Sequence, residues 1–228
     1  MELQGKTMGA GLTPRRADIF TGEAGWIPAA EPARGSPARG IVAGTRVATV
    51  GGWRTVEDLM PGDPVMTVDN GPQQLLDVRR RALWSGPEPC PAALCPLAVP
   101  PAALGNRTAL LLLPEQLVLV ESDLAETSYG APYVLIPAAA LDGWRGIATI
   151  VPHRRVETVS LHCAGDEIVY ANGVGLIHCP PPEAAGAEPA PATRPGRTPS
   201  GYTVLPLDMA RILVACMIAE DAQADGVA

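Results

Sequence analysis

Asp69-Asn70-Gly71 is the tightest local constraint in this chain. Val65 and Thr67 alternate with their neighbours before it, and a long run, QQLLDVRRRALW, follows it. Asn-Gly tolerates the positive φ angles of a type I′ turn, so the pattern predicts a hairpin whose second arm is one long return strand. A second Asn-Gly, Asn172-Gly173, separates EIVYA from VGLIH in the same way. A chain pinned by such turns builds antiparallel β-structure. Composition agrees, because 25 Pro and 24 Gly in 228 residues, against a single Phe, favour turns over long helices.

The β-runs define one domain with tails. Residues 1–39 carry Gly, Pro, Ala and Arg without a sustained period and read as a flexible leader. Residues 40–179 hold the β-runs. Between Thr49 and Val65, Thr55-Val56-Glu57-Asp58-Leu59 opens with a Thr cap and stops at Pro61-Gly62, which predicts one helical turn. Residues 86–105 read as a loop with a short strand. Residues 180–201 contain seven prolines and read as a linker. Residues 202–221 read as an amphipathic helix with Leu207, Ala210, Ile212, Leu213, Cys216 and Met217 on its apolar face.

Charge and cysteine usage exclude several classes. A formal net charge of −7 argues against nucleic-acid binding, which needs clustered Lys and Arg. The two short basic clusters, Arg79-Arg80-Arg81 and His153-Arg154-Arg155, lie in β-runs and read as charges that guard sheet edges. No run of 18 apolar residues and no signal-peptide core is present, so neither a membrane nor a secretory route is expected. The five cysteines are odd in number and widely spread, which does not describe a disulfide framework. A reducing, cytoplasmic setting is the default, with non-classical secretion as the alternative.

Several of these segments, in order, carry a family resemblance. Gly44-Thr45-Arg46-Val47-Ala48-Thr49, Val56-Glu57-Asp58-Leu59 with Pro61-Gly62-Asp63-Pro64-Val65, and Thr67-Val68-Asp69-Asn70-Gly71 resemble the opening of a Hint domain, the hedgehog and intein self-processing fold. The bacterial branch that usually opens Cys-Phe-Thr-Pro-Gly-Thr is similar. Leu113-Pro114-Glu115-Gln116-Leu117-Val118-Leu119 resembles the second motif, Val134-Leu135-Ile136-Pro137-Ala138 a later strand, and Glu167–Gly173 the final motif. The resemblance implies a mostly β domain over residues 40 to about 178, a flattened horseshoe of about ten short antiparallel strands, followed by a C-terminal helix.

It also implies where the family's chemistry belongs. A Cys or Ser at the first residue attacks the preceding carbonyl, turning an amide into a thioester or ester, which requires a nucleophile and oxyanion donors. A hydroxyl residue and a His in the second motif, and an acid in the last, assist proton transfer. Here the nucleophile's place falls on Gly40, the hydroxyl on Leu113, the His on Gln116 and the acid on Ala164, with Asp166 two residues away. Glycine has no nucleophile and a glutamine cannot relay a proton near neutral pH. The expectation is a degenerate, non-catalytic Hint scaffold without cofactor, acting as a structural or interaction module; the alternative is self-processing through an unrecognised nucleophile, such as Thr45 or Thr49. Succinimide chemistry is not expected, because Cys179 rather than Asn follows His178.

A zinc site is a separate expectation to weigh. His162-Cys163, His178-Cys179 and Cys90-x4-Cys95 supply imidazole and thiolate groups in number. Neighbours on a strand point to opposite faces, so each His-Cys pair offers one ligand, and no CxxC spacing occurs. Buried apolar cysteines, surface histidines and no metal are therefore expected. For a protein partner or self-association, the surface named is the helix face carrying Leu207, Ile212, Leu213, Met217 and Ile218, which either folds back on its own domain or lies in a partner's groove.

Overall fold

The computed structural model describes residues 39–84, 89–182 and 195–225. The leader call, up to residue 38, and the linker call over residues 183–194 lie outside these. In chain order the elements are β1 (Ile41–Val42), β2 (Arg46–Thr49), β3 (Gly52–Thr55), β4 (Pro64–Thr67), β5 (Gly71–Gln74), β6 (Asp77–Trp84), β7 (Leu97–Val99), β8 (Leu110–Leu112), β9 (Leu117–Glu121), α1 (Asp123–Tyr129), β10 (Tyr133–Pro137), β11 (Ala148–Thr149), β12 (Val156–His162), β13 (Glu167–Ala171), β14 (Gly175–Cys179), β15 (Gly196–Arg197), β16 (Thr203–Val204) and α2 (Leu207–Asp225). The architecture is mostly β with a C-terminal helix. The strands are shorter and more numerous than the ten expected, because Pro and Gly cut the apolar runs.

The Asn70-Gly71 hairpin forms, with a different turn. Thr67 pairs with Gly71 across it, and of these turn residues only Gly71 takes a positive φ, of 64°. A loop of this length closes with one left-handed residue, so the second positive φ of a type I′ turn is not needed. The expected long return strand is two strands. β5 ends at Gln74, the Leu76 N–H turns to the carbonyl of His162, and β6 continues in another sheet against β12. One apolar stripe thereby serves two sheets: Leu75 is buried in the main core and Leu76 is exposed.

The main sheet runs β15-β16-β10-β9-β14-β13-β2-β4-β5, with β3 on β2; β1-β12-β6 and β11-β7-β8 form two smaller sheets. One core cluster joins them, including Val47, Leu59, Leu97, Leu112, Val134, Ile136, Leu141 and Val169. Burial of such side chains contributes roughly 1.5–3 kcal/mol each. The expected antiparallel pairing holds throughout residues 40–178, and the one parallel pairing lies beyond them: β16 runs alongside β10, with Val134 opposite Thr203 and Leu135 opposite Val204. The chain leaves the sheet after β14 and returns from outside, which allows either direction.

The expected helical turn is a short 3-10 turn at Val56–Asp58. Thr55 does not cap its backbone; its hydroxyl donates to the Asp58 carboxylate. Arg80 donates to the carbonyls of Glu57 (2.8 Å) and Leu59 (2.7 Å), so this basic residue secures the turn. α1 is not among the expected elements; its signals are Ser122, which accepts from the Ala125 N–H, and the left-handed Gly130 at its end.

The C-terminal tail differs most from expectation. Where linker was expected to residue 201, β15 pairs with β16. The helix starts at Leu207, after Pro206, and runs to Asp225. Ala210, Leu213, Val214 and Met217, at helical spacing, enter the main core beside Leu141 and Trp144. Asp221 accepts from Trp144 Nε1 and Arg145 Nε, each at 2.9 Å. Of the five residues named for a partner, Leu213 and Met217 are therefore spent within the chain, Leu207 is half-buried against the same core, and Ile212 and Ile218 remain exposed. Among the described residues no helix is long and apolar enough to cross a membrane.

Candidate functional site

β1 and β12 pair antiparallel, Ile41 opposite Val159 and Val42 opposite Thr158. Gly40 therefore lies across from Ser160, and its φ of +121° is one that side chains rarely adopt. A Cβ there would lie 3.3 Å from Ser160 Oγ and 3.4 Å from Thr158 Cβ. The Gly40 N–H donates to Gln116 Oε1 at 3.0 Å. Gln116 is buried, and its own amide donates to the carbonyls of His178 (2.9 Å) and Leu117 (3.1 Å). One glutamine thus ties the start of the domain to the end of β14.

Leu113 is fully buried with Val42, Leu83 and Val156, and Leu94 packs on them. Ala164 is exposed, away from this group. Thr45 and Thr49, the two shifted-nucleophile positions, are buried; the Thr49 hydroxyl donates to the Gly52 carbonyl at 2.7 Å.

A second polar cluster lies at the other end of Gln116's reach. Asp166 is buried between β12 and β13; its carboxylate accepts from His178 Nε2 and from the hydroxyl of Ser200. Burial pushes this carboxyl upward, and the hydrogen bonds from His178 and Ser200 outweigh that, leaving it below its ordinary range. Nearby Glu167, also buried, accepts from Asn70 Nδ2 at 3.1 Å on both oxygens. The segment carrying Ser200 is held a second time where the Tyr202 hydroxyl meets the Asp69 carboxylate at 2.9 and 3.0 Å.

The weighed zinc ligands are dispersed into other roles, and His162 and His178 are buried rather than on the surface, because each imidazole has a hydrogen-bond partner inside the fold. His178 is engaged by Asp166, and His162 Nδ1 donates to the Pro180 carbonyl at 3.2 Å. Cys163 and Cys179 are buried thiols, and Cys90 and Cys95 lie together in their own loop. Among the described residues no group of three or more His, Cys, Asp or Glu is arranged to hold a metal ion.

Comparison with known proteins decides the family. The sequence model of the Hint domain matches residues 40–176. The chain belongs to the Hint domain family. No curated protein matches it. Among solved structures, this Hint domain is similar to a bacterial intein-like domain from Clostridium thermocellum, at 14% identity and a TM-score of 0.44, covering 61% of this chain and 98% of that one. It is similar also to the gp41-1 intein, at 12% identity and a TM-score of 0.37, covering 61% and 98%. The motif positions inferred for this Hint domain converge in part: Gly40 and Gln116 touch, and Asp166 and His178 pair, while Ala164 stands apart. Ser160 and Ser200 are not among the motif positions. Ser160 follows from strand register, which a single sequence does not fix, and Ser200 lies 34 residues from Asp166 in a segment read as linker.

Proposed function

We propose that this Hint domain performs no acyl shift at residue 40 and acts as a structural or protein-interaction module. The observation that carries the reading is the Gly40–Gln116 contact. The amide nitrogen that would leave in an acyl shift is held by a carboxamide oxygen at 3.0 Å, and residue 40 offers no sulfur or oxygen to attack with. A Gln amide has no proton to deliver to a departing amine near neutral pH. Full-length protein is expected to stay intact for a day at pH 7 to 8, with or without added thiol, by intact-mass measurement. Release of a fragment ending at Arg39 would overturn the reading. In the converse experiment Gly40→Cys with Gln116→His is expected to cleave more than Gly40→Cys alone. As a module, the chain would engage its partner, or itself, through Ile212 and Ile218, the apolar residues of α2 left outside the core. Loss of association in Ile212→Glu with Ile218→Glu, read by sedimentation or pull-down, supports this; unchanged association removes it.

A second reading, self-processing through another nucleophile, is favoured by Ser160, whose hydroxyl stands 3.3 Å from where a residue-40 side chain would begin. It predicts cleavage that disappears in Ser160→Ala.

A further inference from the structure

The 3-10 turn Ala92–Leu94 folds residues 90–95 back on themselves. It brings Cys95 Sγ to 3.6 Å from the Cys90 carbonyl oxygen, with both side chains buried. Leu94, inside this turn, packs on the cluster that contains Val42 and Leu113, the wall behind Gly40. Two thiols folded together five residues apart, beside that wall, form a site that neither catalysis nor metal binding uses.

We propose that Cys90 and Cys95 are a disulfide-forming pair whose closure ties down the loop that holds Leu94 against Val42 and Leu113. The oxidant is a small-molecule disulfide such as oxidised glutathione. One cysteine, as thiolate, attacks it and expels one glutathione thiol; the second cysteine attacks the mixed disulfide and expels the other. The Cys90–Cys95 bond forms, both protein thiol protons are released to solvent or to the leaving thiolates, and the oxidant is reduced by two electrons. Burial, and then the neighbouring Cys95 thiol, push the Cys90 thiol up to about 11. Both side chains are buried in the folded chain, so an oxidant reaches the pair readily during folding and slowly afterwards. Cys216 is the exposed thiol among those described, and it reacts first with reagents added to the native protein.

The test refolds the full chain in a glutathione redox buffer, alkylates it under denaturing conditions and maps the peptides by mass. The expected result is a peptide spanning residues 90 and 95 that is lighter by two hydrogens and takes up alkylating agent only after reduction. Its melting temperature rises by roughly 4–8 °C over the reduced chain, as a short covalent loop in a protein of this size gives. Cys90→Ser leaves Cys95 alkylated and abolishes the rise. Alkylation of both thiols after oxidising refolding would overturn the proposal, and so would Cys90 or Cys95 bonded to Cys163 or Cys179. The peptide map is read on the unsubstituted chain, so a poorly folding variant does not blur the result.

Discussion

The two ends of Gln116's reach differ in one respect that organises the rest of the site. At Gly40 the groups in contact are a backbone N–H and a carboxamide, neither of which titrates in the working range of pH. At Asp166 the groups are a buried carboxylate and an imidazole, with a hydroxyl closing the set. The first is neutral and geometric, held by a left-handed backbone and close approach. The second is charged and electrostatic. In this Hint domain the contact between residue 40 and Gln116 is thus an amide hydrogen bond.

The largest effect is expected at the charged end. Asp166→Ala strands the buried His178 imidazole and should cost roughly 3–5 kcal/mol in denaturant unfolding. A loss under 1 kcal/mol would show that the cluster contributes little. Gln116→Leu keeps the volume but leaves the Gly40 N–H and the His178 carbonyl without their partner, an expected loss of about 2–3 kcal/mol. Gly40→Ala acts through backbone strain and the contact with Ser160, costing about 1–2 kcal/mol. Adding Ser160→Gly should recover part of that and no more, since the φ angle remains; full recovery would assign the whole cost to crowding.

The pH response is the smallest and sharpens the contrast. Asp166 has a folded pKa held below its unfolded value, so its contribution is present above about pH 4 and is lost as pH falls through the folded value. Asp166→Asn should flatten the acid limb of a stability–pH curve, while Gln116→Leu should lower the whole curve without changing its slope. Parallel curves for the unsubstituted chain and Asp166→Asn would show that folding does not favour the ionised form of Asp166.

Legibility followed the range of the interaction. Alternation and turn residues gave the strands around Asn70 and Asn172, and the Gly40 and Gln116 positions read from motif order meet in space. Ser160 depends on the register between β1 and β12, and Ser200 on a return of the chain after a proline-rich stretch, neither of which leaves a local pattern. The helix face was read with the right period and the wrong centre. Ile212 scores as apolar as Leu213, and only packing against Leu141 and Trp144 decides which of them is inside.

The parallel pairing of β16 with β10 has a consequence in time. Leu119, Leu135 and Ile168 form a small apolar patch that Tyr202 and Val204 help to cover. Those covering residues are made after the strands they cover. At about 5–20 residues per second of synthesis, the stretch from Pro182 to Val204 takes on the order of one to four seconds. For that interval a nascent chain carries the strands of this patch with a sticky, uncovered face, so the hazard of misassociation is greatest between the synthesis of β14 and that of β16.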